Sequence, residues 1–439
     1  MREVFVGLPI VAILGRPNVG KSTLFNRLSR DNRAVVDETP GVTRDRNYAT
    51  VEWAGRDFVI VDTGGLILDA KTGIELSITK QAEIAAREAD LVLFLVEKTI
   101  TPEDAEIANT LRKGDFPLIL VANKVDSQKD ELELADIWRL GLGEFLPISA
   151  LNGRGVADFL DILIDRLPEK GHGEEIHSEI RVAIVGKPNV GKSSYVNKLL
   201  GEDKLVVDAV PGTTRDSIDT IFKYNGKRWV LTDTAGLLRK QHGIEYYSSL
   251  RTVSTIKRSD IVFQLTDATE RFSSQDKRIA GMAVDFYKGL VIGLNKWDLI
   301  EAGPRTSVEY ERIIKEEAAF LGFAPFVTLS ALTGLRVRKT LEILEKVAEN
   351  RAQRVPTAEM NRFVKTVIAK HPPPIAMGKR ANILYATQES ANPPVIVFFC
   401  RGARYIPENY KRYLINSLRH EFGFEGVSIK LVFRERRGK

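Results

Sequence analysis

The 439-residue chain has very little cysteine, methionine, tryptophan or histidine: one Cys, four Met, four Trp and five His. A single thiol excludes an internal disulfide framework and points to a reducing compartment, so a cytoplasmic location is expected. Cys400 ends the apolar run VIVFFC and is expected to be a buried packing thiol. No apolar stretch approaches the ~18 residues needed to cross a bilayer, and no lipidation motif is present, so a membrane partner is not expected. The N-terminal run VFVGLPIVAILG could pass for the apolar core of a signal, but it leads directly into a glycine-rich loop and is better taken as the first strand of a domain.

What the chain does have is charge, unevenly spread. The formal net charge is +6; residues 351–439 hold 17 Lys and Arg against 6 Asp and Glu, or +11, which leaves the preceding 350 residues at −5. A basic module on a mildly acidic body suggests a polyanionic partner. The length implies two or three domains, and the composition, 44% hydrophobic and 28% charged, is that of an ordinary globular protein.

Two of these domains are copies. GRPNVGKST (15–23) returns as GKPNVGKSS (186–194); Lys21 and Lys192, Thr43 and Thr214, and Asp62 and Asp233 are each separated by 171 residues, Asn123 and Asn295 by 172. A near-constant offset across several motifs means a duplicated domain. The expected boundaries are 1–168 and 181–352 for the copies, with a polar, glycine-containing linker at 169–180, and a third domain at 355–439. Within each copy, short β-branched runs (PIVAILG, DFVIVD, DLVLFLV, PLILVAN, LPIS; then RVAIVG, RWVLTD, DIVFQLTD, LVIGLN, FVTLS) alternate with helical patterns. That pattern predicts a doubly wound α/β fold with mostly parallel sheets. WAGR (53–56) and YNGK (224–227) predict one hairpin, hence one antiparallel pair, in each. The third domain reads α-β-β-α-β, an α+β unit whose first helix is stopped by HPPP at 371–374.

Each copy carries G-x-x-x-x-G-K-S/T between a strand and a helix, a phosphate cradle made by backbone N–H groups and a helix N-terminus. The loop residues are Gly15, Arg16, Pro17, Asn18, Val19, Gly20, Lys21, Ser22 and Thr23, and Gly186, Lys187, Pro188, Asn189, Val190, Gly191, Lys192, Ser193 and Ser194. Lys21 and Lys192 are expected at the β- and γ-phosphates, with Ser22 and Ser193 offering hydroxyls to Mg²⁺. Asp62-Thr63-Gly64-Gly65 and Asp233-Thr234-Ala235-Gly236 follow a strand; the aspartates belong to the Mg²⁺ shell, and the Gly65 and Gly236 amides can sense the γ-phosphate. Thr43 and Thr214, in PGVTRD and PGTTRD, are expected switch threonines that reach Mg²⁺ and catalysis in the triphosphate state. Base identity comes from Asn123-Lys124-Val125-Asp126 and Asn295-Lys296-Trp297-Asp298. Asp126 and Asp298 can each accept two hydrogen bonds from the N1–H and exocyclic amine of guanine, which adenine cannot supply. Ser149-Ala150 and Ser330-Ala331 fit the loop whose backbone amide meets guanine O6. Twice in matched contexts, these motifs specify GTP and GDP as ligands. Both sites retain the Lys, Thr and Asp of a working site, which argues against an inert scaffold. A signalling or trafficking GTPase has no support without a membrane anchor, and a tRNA-modifying GTPase would need a further catalytic domain that 355–439 is too short to be.

Tandem domains with these motifs, followed by a basic domain with HPPP, YATQ and YKRYLINSLRHEFGFEG, resemble the Der (EngA) family of bacterial double-Era-like GTPases over essentially the whole chain. The resemblance implies GTP hydrolysis in assembly of the large ribosomal subunit, contact with rRNA or the precursor particle, and a KH-like third domain; a monomer is expected. Two departures matter. Where Ras-like GTPases place a water-orienting glutamine, this chain has Leu66 and Leu237. Related GTPases with an apolar residue there use K⁺, held partly by a P-loop asparagine, which assigns K⁺ to Asn18 and Asn189. In the third domain the only GXXG, Gly423-Phe424-Glu425-Gly426, contains a glutamate and follows a helix, so a helix cap and turn is expected there in place of a phosphate clamp. RNA contact is then expected from Arg401, Arg404, Lys411, Arg412 and Arg434, or the domain docks on its neighbours.

Overall fold

A computed structural model describes residues 8–31, 48–63, 78–114, 116–168, 179–201, 206–208, 219–234, 249–301, 303 and 306–436. The first copy is built from β1 (Ile10–Leu14), α1 (Lys21–Asp31), β2 (Tyr48–Trp53), β3 (Arg56–Asp62), α2 (Ile78–Glu88), β4 (Leu91–Val96), α3 (Pro102–Arg112), β5 (Leu118–Ala122), the short α4 (Gln128–Glu131), β6 (Phe145–Pro147) and α5 (Val156–Arg166). Its sheet order is β2-β3-β1-β4-β5-β6, parallel except for β2 against β3. β1 and β4 are buried along their whole lengths, which is why their sequences IVAIL and LVLFLV do not alternate.

The second copy repeats the plan with β7 (Glu179–Val185), α6 (Lys192–Leu200), β8 (Val206–Asp208), β9 (Thr220–Tyr224), β10 (Lys227–Thr232), α7 (Ser249–Arg258), β11 (Ile261–Asp267), α8 (Ser274–Asp285), β12 (Gly289–Asn295), α9 (Thr306–Glu317), β13 (Phe326–Thr328) and α10 (Val337–Ala352). The order is β13-β12-β11-β7-β10-β9-β8. Both expected hairpins form: Trp53 faces Arg56 and Tyr224 faces Lys227 across two-residue turns, with Ala54-Gly55 and Asn225-Gly226 all at positive φ. Three residues, VVD, add an edge strand antiparallel to β9 that the pattern of apolar runs did not suggest. Glu179 and Ile180 lie in β7, paired with Arg228 and Trp229, so the strand begins inside the stretch expected as linker.

The third domain comprises α11 (Thr357–Lys370), a small hairpin β14 (Ile375–Ala376) and β15 (Lys379–Arg380), β16 (Asn382–Ser390), β17 (Val395–Arg401), α12 (Glu408–Phe422) and β18 (Lys430–Glu435). The expected order holds with the hairpin inserted after HPPP. β16 and β17 run antiparallel, β17 and β18 parallel. Ile383, Ile396, Phe398 and Cys400 point to the helices and share one core with Val337, Leu341 and Val347 of α10, so the domain is welded to the second copy through apolar burial. Cys400 is fully buried, as expected of a packing thiol.

The GFEG turn makes that weld. Gly423 closes α12 in the left-handed conformation, with its N–H donating to Arg419 O; Phe424 is fully buried; the Gly426 N–H donates to Phe323 O, and Gly426 O accepts from Leu290 N. Gly426 sits at φ +73, and a Cβ there would collide with the Val347 side chain, so the turn calls for glycine at this contact. The motif is a cap and docking turn, as its glutamate suggested.

Candidate functional site

The two nucleotide sites sit at the C-terminal ends of the parallel strands, where open α/β sheets bind ligands. In the first, Gly15 to Gly20 link β1 to α1. Asn18 and Gly20 have positive φ, and a Cβ on Gly20 would strike the Asn123 amide; Gly191 stands against Asn295 in the same way. The loop must carry glycine there because the Asn123 or Asn295 side chain packs directly against it.

That asparagine turns out to be a staple. Asn123 Nδ2 donates to Val19 O at 2.7 Å, and its Oδ1 accepts from Ala150 N at 2.9 Å. Asn295 repeats both bonds, to Val190 O at 2.7 Å and from Ala331 N at 2.8 Å. One buried side chain thus ties the phosphate loop to the Ser-Ala loop, fixing the distance between phosphate and base ends. Asp126 is exposed and oriented by Ser149 Oγ at 2.6 Å and Asn152 Nδ2 at 3.0 Å, both donating to its Oδ1. Asp298 is likewise exposed, and Ser330 is fully buried with its Oγ accepting from Thr333 N at 3.1 Å.

Lys21 Nζ donates to Gly15 O and Arg16 O, each at 2.8 Å, so the ammonium is wrapped by its own loop. Burial and the Arg16 charge hold its pKa below the ordinary lysine value, with Asp62 working in the opposite direction. Lys192 Nζ donates to Lys187 O at 2.7 Å. Ser22 Oγ donates to Asp62 Oδ2 at 2.7 Å, which brings together the two oxygens expected to serve a divalent cation. Thr63 anchors the end of β3 through Ile13 O at 2.6 Å.

The second copy differs at this point. Asp233, at positive φ, is engaged by the Arg251 guanidinium from α7, with Nε to Oδ2 at 2.5 Å and Nη2 on Oδ1; Thr255 Oγ1 adds a bond at 3.2 Å. Glu88, at the end of α2 in the first copy, lies in the same field. Its pKa is raised by burial and by the Asp233 charge, while Arg251, Ser254 and Arg258 pull it the other way. The copies meet here: α2 packs on α7, Lys257 Nζ pairs with Asp90 at 2.9 Å, and Tyr48 Oη donates to Asp285 Oδ2 at 2.9 Å.

The second residue of each phosphate loop has a partner that motif reasoning missed. Arg16 reaches Glu97 at 3.1 Å and the buried Asp104 at 3.2 Å; Lys187 reaches Glu270 at 2.9 Å and the buried Asp276 at 3.3 Å. Asp104 and Asp276 are the third residues of capping boxes begun by Thr101 and Ser273. The signal was present as TPED and SSQD at the repeat spacing of 172. Lys124 and Lys296 make matching pairs with Glu97 and Asp267, both at 2.5 Å. Thr43, Thr214, Gly64, Gly65, Ala235, Gly236, Leu66 and Leu237 lie outside the described residues.

A family model described as "50S ribosome-binding GTPase" matches residues 10–124 and again 181–296, and one described as "KH-domain-like of EngA bacterial GTPase enzymes, C-terminal" matches 354–434. GTPase Der of Desulfitobacterium hafniense is 46% identical over 434 residues, covering 98% of both chains. The chain belongs to the Der family of GTPases. GTPase Der of Thermomicrobium roseum is also 46% identical, over 98% of this chain and 96% of its own. Family membership makes the chain a GTP-binding, GTP-hydrolysing enzyme with two GTPase domains, and it makes the basic third domain KH-like.

Proposed function

We propose that the chain uses its two GTPase sites as switches in ribosome biogenesis, acting in the cytoplasm as a monomer on the large subunit or its precursors and contacting rRNA. The observation that carries this reading is the welding of a +11 module to the second GTPase domain, which puts a polyanion-attracting surface in mechanical contact with a nucleotide site. Among the described residues no helix is long and apolar enough to cross a membrane.

In each site the phosphate loop binds the triphosphate through backbone N–H groups, and Lys21 or Lys192 turns from its loop carbonyls onto the β- and γ-phosphates. Asp126 or Asp298 selects guanine. The donor set fits Mg²⁺, a hard cation that takes oxygen ligands: Ser22 with Asp62, and Ser193 with Asp233, joined by Thr43 and Thr214 in the triphosphate state. Mg²⁺ held by these oxygens would supply charge stabilisation to the phosphates. With leucines at 66 and 237, we assign the remaining charge compensation to K⁺ beside Asn18 and Asn189, both exposed at positive φ with side chains at the loop surface. GTPase rates in matched KCl and NaCl test this: a higher rate in KCl that is lost in Asn18→Asp/Asn189→Asp is expected, and equal rates overturn it.

Sedimentation with ribosomal particles under GDP, GTP and a non-hydrolysable analogue tests the main reading. Co-migration with large subunits that depends on the nucleotide is the expected outcome. No co-migration in any state at low salt overturns it.

A further inference from the structure

We propose that the open face of the third domain's sheet, at the end where β17 and β18 finish, binds single-stranded RNA by stacking bases on the Tyr385–Phe399 pair inside a ring of arginines and lysine. This deepens the reading that the partner is rRNA, and rests on it.

Side chains alternate along the sheet. Ile383, Phe398 and Cys400 face the helices; a bulge between Ile383 and Tyr385 shifts the register so that Tyr385 stands opposite Phe399, and these two face outward with Arg401, Arg434 and Arg436. Tyr385 and Phe399 are opposite each other across the strands and stack with centroids 4.5 Å apart and planes 16° apart. Both are partly exposed, and the Arg436 guanidinium lies 5.4 Å from the Tyr385 centroid. The stacked pair presents one composite π surface with a cation over the Tyr385 ring, which suits a nucleobase and its phosphate. A duplex buries its base faces and could use only the charges.

The rim is cationic. Lys379, Arg380, Arg401, Arg404 and Arg436 are all exposed. Gly402, at φ +78, turns the chain after β17 back beside Ala381, and Arg404 and Lys379 both lie over Tyr405, at 4.9 and 5.9 Å. Glu435, the carboxylate that ends β18, is engaged by the backbone: its oxygens accept from Gly402 N and Ala403 N, each at 2.8 Å. Of the arginines and lysines expected to meet RNA, Arg401 and Arg404 are in this ring, while Arg434 pairs with Glu389 at 2.8 Å and Lys411 pairs with Glu408. The hairpin β14–β15 presents Met377, 88% exposed, beside Lys379. The groove between α11 and α12, about 600 Å³, is the rival surface, but there Arg362, Lys370 and His420 alternate with Glu359 and Glu421. Its mixed charge suits a polyanion poorly.

The test uses the full chain and two probes, a fluorescein-labelled 16-nucleotide mixed-sequence RNA and the same strand annealed to its complement. Arg401→Glu/Arg436→Glu should weaken single-strand binding more than tenfold and flatten the log–log salt slope by about 1.4. Arg362→Glu/Lys370→Glu, an equal charge change in the groove, should alter it less than twofold. Tyr385→Leu should cost about 5- to 100-fold on the single strand and leave the duplex unchanged. Equal losses from the two charge pairs, no effect of Tyr385→Leu on the single strand, or wild-type preference for the duplex would each overturn the proposal. These measurements involve no ribosomal particle, so failure of the ribosome reading shows separately, as absent co-sedimentation with oligonucleotide binding intact.

Discussion

The two candidate nucleotide sites share a loop, a staple and an aspartate proposed to read the base, yet the residues proposed to hold the cation are arranged differently. In the first, Ser22 and Asp62 already face each other at 2.7 Å. In the second, the equivalent aspartate is held by Arg251, a residue of the helix that packs on the other copy. The lesson is that duplication copies motifs, but each copy then lives in its own surroundings. The second copy is sandwiched between the first and the KH-like domain, and α7 is the element through which one neighbour reaches its site.

The strongest way to separate the sites is through their base aspartates. Asp126→Asn should lower GTP affinity of the first site by about a thousandfold or more, because an amide cannot accept from both guanine donors. Calorimetric titration should then count one GTP per chain instead of two, and Asp298→Asn should do the same for the other site. Two undiminished sites in either variant would sink the assignment.

Next is a cation confined to the second copy. Lys288 is buried, donates to Lys257 O at 2.7 Å and Ser259 O at 2.6 Å at the end of α7, and has its pKa pushed down to about 7 by burial and by Arg351 and Lys257, with Asp260 opposing. At the repeat spacing the first copy has Phe116. Free lysine titrates near ~10.4, so between about pH 7 and 10 the unfolded chain binds more protons and stability rises with pH. The contribution is complete above that window and is lost as pH falls through 7. The stability difference between wild type and Lys288→Met should therefore grow across the window, by a few kcal/mol in order of magnitude. A pH-independent difference in melting temperature would contradict this.

The Arg251 contact predicts a smaller effect. Removing it with Arg251→Met in the Asp126→Asn background should lower the Mg²⁺ concentration for half-maximal GTP binding at the second site roughly three- to tenfold, the scale of a partly exposed ion pair. Fluorescent-nucleotide titration reads it, and an unchanged or raised Mg²⁺ requirement counts against competition for Asp233. The smallest expected effects are structural and should be alike in both copies: Thr101→Ala and Ser273→Ala each remove a capping-box hydroxyl and should cost about 1 kcal/mol in denaturant unfolding. Because Asp104 and Asp276 also face Arg16 and Lys187, a larger loss in one copy would show which phosphate loop depends more on its cap.

Much of this was legible in the chain. Glycine-rich loops, the aspartates at the ends of β3 and β10, the two hairpins and the GFEG cap announced themselves because each is a local arrangement, dictated by backbone freedom or by a side chain bonding within a few residues. Asn123 as a staple was less visible, since its partners Val19 and Ala150 lie 104 and 27 residues away. Asp104 could have been found from its capping box, but its second bond to Arg16, 88 residues off, could not.

The amino-acid sequence by itself determined the duplication, the guanine chemistry and the net charge of the third domain, because these follow from residue types at fixed short spacings. Only the tertiary structure decided which arginines stand free, that GFEG docks against Phe323 and Leu290, and that Asp233 answers to Arg251 while Asp62 answers to Ser22. Those outcomes depend on which surfaces burial brings together across domains, and a spacing along one chain carries no record of which distant neighbour a charge will meet.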